Sequence, residues 1–128
     1  TFMERQYLNS KIHKATVTNS NIDYEGSCEI DIALLKAANI HPYEKIDIYD
    51  ITNGERLSTY AIPGKPDTGI IGINGACCHK IKIYDEIIIC TYTMLNENEH
   101  ANHTPTTIYV NESNQIIDKP IDKKLNAI

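Results

Sequence analysis

The chain is predicted to be mainly β: a small barrel or sandwich with a few short helices. Three observations point there. Short stretches rich in β-branched and aromatic residues recur along most of the 128 residues. Several of them alternate apolar and polar side chains, and Gly-containing turn signals separate them. The length suits one domain spanning residues 1–128, and 41% apolar with 23% charged residues is ordinary soluble composition.

Residues 11–18 (KIHKATVT) alternate in part. Residues 45–52 (KIDIYDIT) alternate cleanly, with Ile46, Ile48 and Ile51 set among Asp47, Tyr49 and Asp50. Residues 57–62, 70–73 and 106–110 are further strands, and 86–93 (EIIICTYT) is a continuous apolar run expected to be buried on both faces. Asn53-Gly54 signals a two-residue hairpin, because both residues tolerate positive φ. Asn74-Gly75 is a second punctuator, either a turn or a place where the backbone lies close to a ligand. One helix starts at Asp31 as cap, shows Ile32, Leu34, Leu35 and Ala38 as its apolar face, and ends near Asn39 ahead of Pro42. A helical turn is expected from Ala76 to Ile81. Residues 96–103 read as a loop or short helix, and 118–128 as a loosely held, disordered tail.

The net charge of -5 argues against nucleic acid or an anionic membrane as partner, since both need clustered Lys and Arg. It leaves room for an anionic substrate held by one local cation. Residues 1–10 contain no signal-peptide core, and no apolar run is long enough to span a bilayer. Cys28, Cys77, Cys78 and Cys90 form no C-x-x-C pair, so neither a zinc site nor a disulfide framework is indicated; reduced thiols in a cytoplasmic protein are expected. His100 and His103 lack further ligands and are assigned to an exposed loop rather than a metal site. No P-loop or dinucleotide motif occurs.

The segment Tyr24-Glu25-Gly26-Ser27-Cys28 would by itself mark only a turn. It can also support a specific chemistry. Gly26 leaves its carbonyl open to attack, and Ser27 brings a hydroxyl one residue later. An N→O acyl shift would turn the amide into an ester, β-elimination would leave dehydroalanine, and hydrolysis with loss of ammonia would give an N-terminal pyruvoyl group. Backbone N–H groups or hydroxyls could hold the oxyanion. A pyruvoyl carbonyl forms a Schiff base with a substrate amine and acts as an electron sink, the role pyridoxal phosphate fills elsewhere.

Five segments carry a resemblance that composition and spacing do not. They are 10–18 (SKIHKATVT), 24–31 (YEGSCEID), 52–62 (TNGERLSTYAI), 73–76 (INGA) and 85–89 (DEIII). Together, in order and at matching spacing, they make the chain resemble the bacterial pyruvoyl-dependent aspartate 1-decarboxylases from about Met3 to Val110. The resemblance implies a six-stranded double-psi β-barrel and a homotetramer with active sites between neighbouring subunits. It implies self-cleavage at Gly26-Ser27 into a 1–26 β-chain and a 27–128 α-chain. It further implies conversion of L-aspartate to β-alanine for pantothenate and coenzyme A, with a covalent pyruvoyl cofactor from Ser27 and neither metal nor pyridoxal phosphate. Some family members need a separate maturation factor, and the sequence leaves that partner open.

The same resemblance assigns roles. Ser27 is the pyruvoyl precursor and Tyr60 the proton donor. Arg56, otherwise a solvated hairpin charge, becomes a carboxylate clamp, since a guanidinium fork binds a carboxylate bidentately. Lys11 is a second cation and His13 lies near the site, both on one strand face. Because the α-carboxylate must lose stabilisation as CO2 forms, the firm clamp belongs on the side-chain carboxylate. Thr59 serves processing or substrate contact, although its parity is opposite to that of Tyr60. Asn74, Gly75 and Ala76 form a substrate loop continued by Cys77. Cys77 and Cys78 depart from the small alanines usual there, which raises oxidation sensitivity and altered pocket polarity. Tyr24 and Glu25 flank the cut. Two alternatives remain: a double-psi barrel or similar small β-domain that binds a ligand or partner without cutting itself, and a pyruvoyl decarboxylase for another amino acid, with Arg56 arguing against an apolar one.

Overall fold

Alternation decides most of the architecture. In the computed structural model, which describes residues 3–119, nine strands form: β1 (Glu4–Thr16), β2 (Asn19–Asn21), β3 (Ser27–Asp31), β4 (Lys45–Asp50), β5 (Arg56–Gly64), β6 (Ile71–Asn74), β7 (Glu86–Asn96), β8 (Thr106–Val110) and β9 (Ile116–Ile117). They pair in the order β2-β6-β3-β5-β4-β7-β1-β8-β9. The pairs β2/β6, β3/β5 and β1/β8 are parallel and the others antiparallel. The mainly β class holds. The ladder is open and counts nine strands where the resemblance implies six in a closed barrel; β2 and β9 are short pieces at its two ends.

Inward parity builds one core. Ile12, Ile30, Ile46, Ile48, Ile73 and Ile89 are fully buried and belong to a single cluster drawn from β1, β3, β4, β6 and β7. Each such side chain contributes about 1.5–3 kcal/mol through burial. One core shared by strands from across the sheet means that the sheet curls around it. Asn114, in the turn between β8 and β9, holds the curl. Its Oδ1 accepts from Thr16 N (2.7 Å), and its Nδ2 donates to Thr16 O (2.8 Å) and Gly69 O (2.7 Å), just before β6.

The helix α1 (Ile32–Ala38) starts where expected. Asp31 Oδ1 accepts from Ala33 N, and Asn39 ends the helix with left-handed backbone. The expected turn after Asn74 is a 3-10 turn, Gly75–His79. The polar segment that follows β7 forms α2 (Glu97–Ala101), opened by a capping box between Asn96 and Glu99. His100 stacks on Tyr7 (3.9 Å between ring centroids), and His103 Nε2 lies 3.0 Å from Leu8 O.

Three expectations change. The β4–β5 connection is not a two-residue hairpin: Asp50 N donates to Glu55 O, leaving four residues, 51–54, in the loop. Asp50 Oδ1 takes the N–H groups of Thr52 and Asn53, which draws both residues out of the strands, and only Gly54 adopts positive φ (+80°). β7 is fully buried on one face and only in part on the other, where Cys90 is buried but Ile88 and Tyr92 stay partly exposed. β1 runs seven residues further toward the N-terminus than expected, because the second half of β7 pairs with it. Residues 120–128 of the expected tail lie outside the described residues.

Candidate active site

Ser27 opens β3, is 1% exposed, and pairs directly with Asn74 at the end of β6. Asn74 Nδ2 donates to Ser27 Oγ (3.1 Å), and that hydroxyl donates to Glu25 O (3.1 Å). Gly75 follows with φ +70°. A Cβ on Gly75 would stand 2.7 Å from Gly26 Cα, 2.8 Å from Gly26 N and 3.1 Å from Tyr24 O. Only glycine fits there, by φ and by space. The close backbone approach read at Asn74-Gly75 is therefore made to the chain's own Gly26-Ser27 junction. Gly26 itself is exposed, with open space where its Cβ would be. The arrangement presents a desolvated, oriented hydroxyl next to a glycine whose missing side chain leaves the outer side of the junction open.

Register places the other candidates. Cys28 pairs with Ala61 across β3/β5, both fully buried. Ser27 and Tyr60 each come one residue earlier, so they lie side by side on the outer face. Tyr60 is half-buried, its ring 6.2 Å from that of Tyr43. Thr59 opposes the fully buried Ile46 and has inward parity, as the alternation requires. Arg56 shares the outer face with Tyr60 but sits four residues away, about 13 Å along the strand. Its guanidinium lies 4.6 Å over the ring of Tyr49, its cross-strand partner.

Lys11 ends a lateral row on the same face: Ser58 opposes Asp47, Asp47 opposes Cys90, and Cys90 opposes Lys11. His13 follows on that face and packs edge-on against Tyr109 (5.5 Å), with Nδ1 buried and unpartnered. Burial, and then the charges of Lys11 and Lys14, hold the His13 pKa below its ordinary value, with Glu86 opposing. Within one chain, then, Gly26, Ser27, Asn74, Gly75 and the backbone of Tyr24 and Glu25 come together with Tyr60 alongside. Arg56 and the Lys11–His13 pair stand apart on the same outer face.

Ala76 is exposed. Cys77 is half-buried and packs on the core that contains Cys28, whose thiol is pushed up by burial first and then by Cys77 and Glu29. Cys78 pins the 3-10 turn: its thiol donates to Ile73 O (3.2 Å) and accepts from Ser20 Oγ (3.2 Å). All four thiols are free.

Two features escaped the sequence reading. Tyr49, which carries Arg56, needs the β4–β5 register to be seen. Asp50 has the inward parity of Ile46 and Ile48, and that signal was readable: a carboxylate on the core face of a strand requires a partner. Among the described residues, no helix is long and apolar enough to cross a membrane, and no cluster of three or more His, Cys, Asp or Glu could hold a metal.

The fold and site define a small β-protein in which a Gly-Ser junction carries a buried, hydrogen-bonded hydroxyl. The chain belongs to the aspartate decarboxylase family, whose sequence model matches residues 3–117. It is 48% identical over 114 residues to the aspartate 1-decarboxylase of Ralstonia nicotianae, covering 89% of this chain and 95% of that protein. It is 49% identical over 120 residues to the aspartate 1-decarboxylase of Thioalkalivibrio sulfidiphilus, covering 94% and 95%. The aspartate 1-decarboxylase of Syntrophus aciditrophicus is 47% identical over 114 residues, covering 89% and 98%.

Proposed function

We propose that this chain is an aspartate 1-decarboxylase that releases CO2 from L-aspartate to form β-alanine, using a pyruvoyl group made from its own Ser27. Family membership and identity near one half over most of the chain support the reaction. The observation that carries the cofactor reading is the Ser27 hydroxyl, buried and held by Asn74, beside the exposed Gly26 against which Gly75 is pressed.

That geometry supports self-cleavage by the following step. Ser27 Oγ attacks the Gly26 carbonyl carbon; the C–O bond forms, the C–N bond breaks, and the hydroxyl proton passes to the Ser27 nitrogen. Asn74 orients the oxygen through one lone pair. Elimination and hydrolysis then release ammonia. The pyruvoyl group supplies the electron-withdrawing carbonyl that makes loss of CO2 feasible. Tyr60, beside Ser27 on the outer face, returns a proton to the substrate Cα. Arg56, preoriented on Tyr49, clamps the side-chain carboxylate, and Lys11 adds a second positive charge nearby.

Arg56 and Lys11 share the outer face with Ser27 but occupy other parts of it within one chain. A homotetramer with sites between subunits would let one copy's cations face another's Ser27. Tyr43, Tyr92 and Met94 leave apolar surface exposed for such contacts. β-Alanine then enters pantothenate and coenzyme A synthesis in the cytoplasm.

Intact mass spectrometry tests the reading. Two pieces, 1–26 and a 27–128 chain with a blocked terminus, together with borohydride trapping of an aspartate-derived adduct on the larger piece, are the expected result. A chain that stays whole both alone and after incubation with cell extract containing any maturation factor would overturn self-processing.

A further inference from the structure

We propose that Asp50 is a positioning residue for Arg56: it shares one proton with Asp85, and that proton ties the β4–β5 loop to the start of β7. The inference deepens the proposed function and rests on the reading of Arg56 as the substrate clamp.

The loop that delivers Arg56 is wound on Asp50. Its Oδ1 accepts from Thr52 N (2.8 Å) and Asn53 N (3.1 Å), its backbone N donates to Glu55 O (2.8 Å), and its carbonyl accepts from Gly54 N (2.9 Å). Oδ2 is different. It is buried and, with both carboxyls ionised, has no donor. Ile51 N donates to Glu86 O (2.8 Å), which brings the carboxyl of neighbouring Asp85, itself 8% exposed, up against that of Asp50; Asp85 Oδ2 accepts from Lys82 N (3.0 Å). Two buried carboxylates in contact repel each other. One proton between them converts the repulsion into an O–H···O bond and satisfies the orphaned oxygen.

The charges on the packed elements do not remove the need for that proton. On the loop, Glu55 is paired with Lys80 (3.4 Å), both half-exposed. Lys82 Nζ is committed to Cys78 O (2.8 Å). Glu86 on β7 and Lys14 on β1 are exposed, and Asp47 has the opposite strand parity. Burial, followed by the contact with Asp85, pushes the Asp50 carboxyl up to about 6, against the pull of the Asn53 and Thr52 N–H groups. Proton loss in mildly acidic to neutral solution therefore sets two negative charges against each other beneath the loop, one turn from Arg56.

The test measures the aspartate KM and kcat from about pH 5 to about pH 8, alongside a carbon-13 carboxyl titration and amide exchange of residues 52–56. The expected result is a KM that rises several-fold with an apparent midpoint near that of Asp50, kcat moving less, and Thr52 and Asn53 amides exchanging faster above the midpoint. Asp50→Asn keeps the Oδ1 acceptor and gives Asp85 a permanent donor, so it should flatten both the KM profile and the exchange. Asp85→Asn supplies the donor from the other side and should do the same if the first variant folds poorly. Asp50 titrating with ordinary carboxylates, or both variants following the parent's KM curve, would overturn the proposal. A parent that makes no β-alanine at any pH would instead sink the proposed function, and the carboxyl titration and amide exchange would still decide the shared proton.

Discussion

Replacing Gly75 by alanine adds one methyl group at the most crowded point of the Gly26-Ser27 junction. Two costs follow. At φ +70° an L-residue adopts left-handed backbone, at roughly 1–2 kcal/mol. The new Cβ would also stand 2.7 Å and 2.8 Å from backbone atoms of Gly26, inside normal carbon contact distance. Backbone cannot rotate away as a side chain can, so residues 24–26 must shift, an overpacking cost of roughly 1–3 kcal/mol. Gly54→Ala is the matched control: its φ is +80°, but nothing lies within 4 Å of its Cβ position. It should show only the first cost. Urea unfolding of both variants isolates the contact as their difference. The same shift disturbs the alignment of the Gly26 carbonyl with Ser27 Oγ, and each ~1.4 kcal/mol added to that barrier slows cleavage about tenfold. A cleavage time course by intact mass should therefore show Gly75→Ala slowed at least about tenfold and Gly54→Ala close to the parent. Equal stability losses in the two variants, with Gly75→Ala cleaving at the parent's rate, would refute the reasoning.

Three other outcomes are expected. Asn114→Ala removes three hydrogen bonds at a site 3% exposed and should cost about 2–4 kcal/mol in urea unfolding, with little change in cleavage if the junction is independent of the latch. Burial pushes Asp31 up, but N–H donors from Gly69, Ala33, Asp67 and Thr68 outweigh it and hold its pKa below the usual carboxylate value. Its stabilisation is thus present above that usual value and lost as pH falls through the folded pKa; Asp31→Asn should be destabilised at neutral pH by about 1–3 kcal/mol, and the gap should close on acidification. Arg56→Lys loses both the bidentate fork and the Tyr49 stack, and steady-state kinetics should show the aspartate KM raised about tenfold or more, with kcat less affected.

Elements with signals of their own were legible. α1 announces itself through Asp31 and Asn39, and β8 and β4 through alternation, with β4 stopping two residues short of the expected end at Thr52. β3 was not, because Ser27, Cys28 and Glu29 have little strand character and Asp31 already reads as a cap; hydrogen bonding to β5 on one side and β6 on the other imposes the strand. β2, the tripeptide Asn-Ser-Asn, is likewise made by its partner β6. The junction residues were legible only through family likeness. Their geometry depends on Ser27 meeting Asn74, 47 positions away, a distance no local pattern encodes. The Asn114 latch was hidden in an ordinary polar turn.

The placement of the junction has a consequence for the two pieces that cleavage would leave. The first 26 residues contain all of β1, which lies between β7 and β8 and inserts Ile12 and Ala15 into the core, with Val17 just after it also buried there. Severing the peptide bond would remove a tether without opening a seam. The molecule then behaves as a fragment-complementation pair: the short piece brings β1 and the short β2 as guest strands, β1 seated in a groove that the long piece cannot close by itself. Separately made fragments should find each other and restore the native sheet. The fold's integrity after the cut would depend on concentration and time rather than on covalent connection.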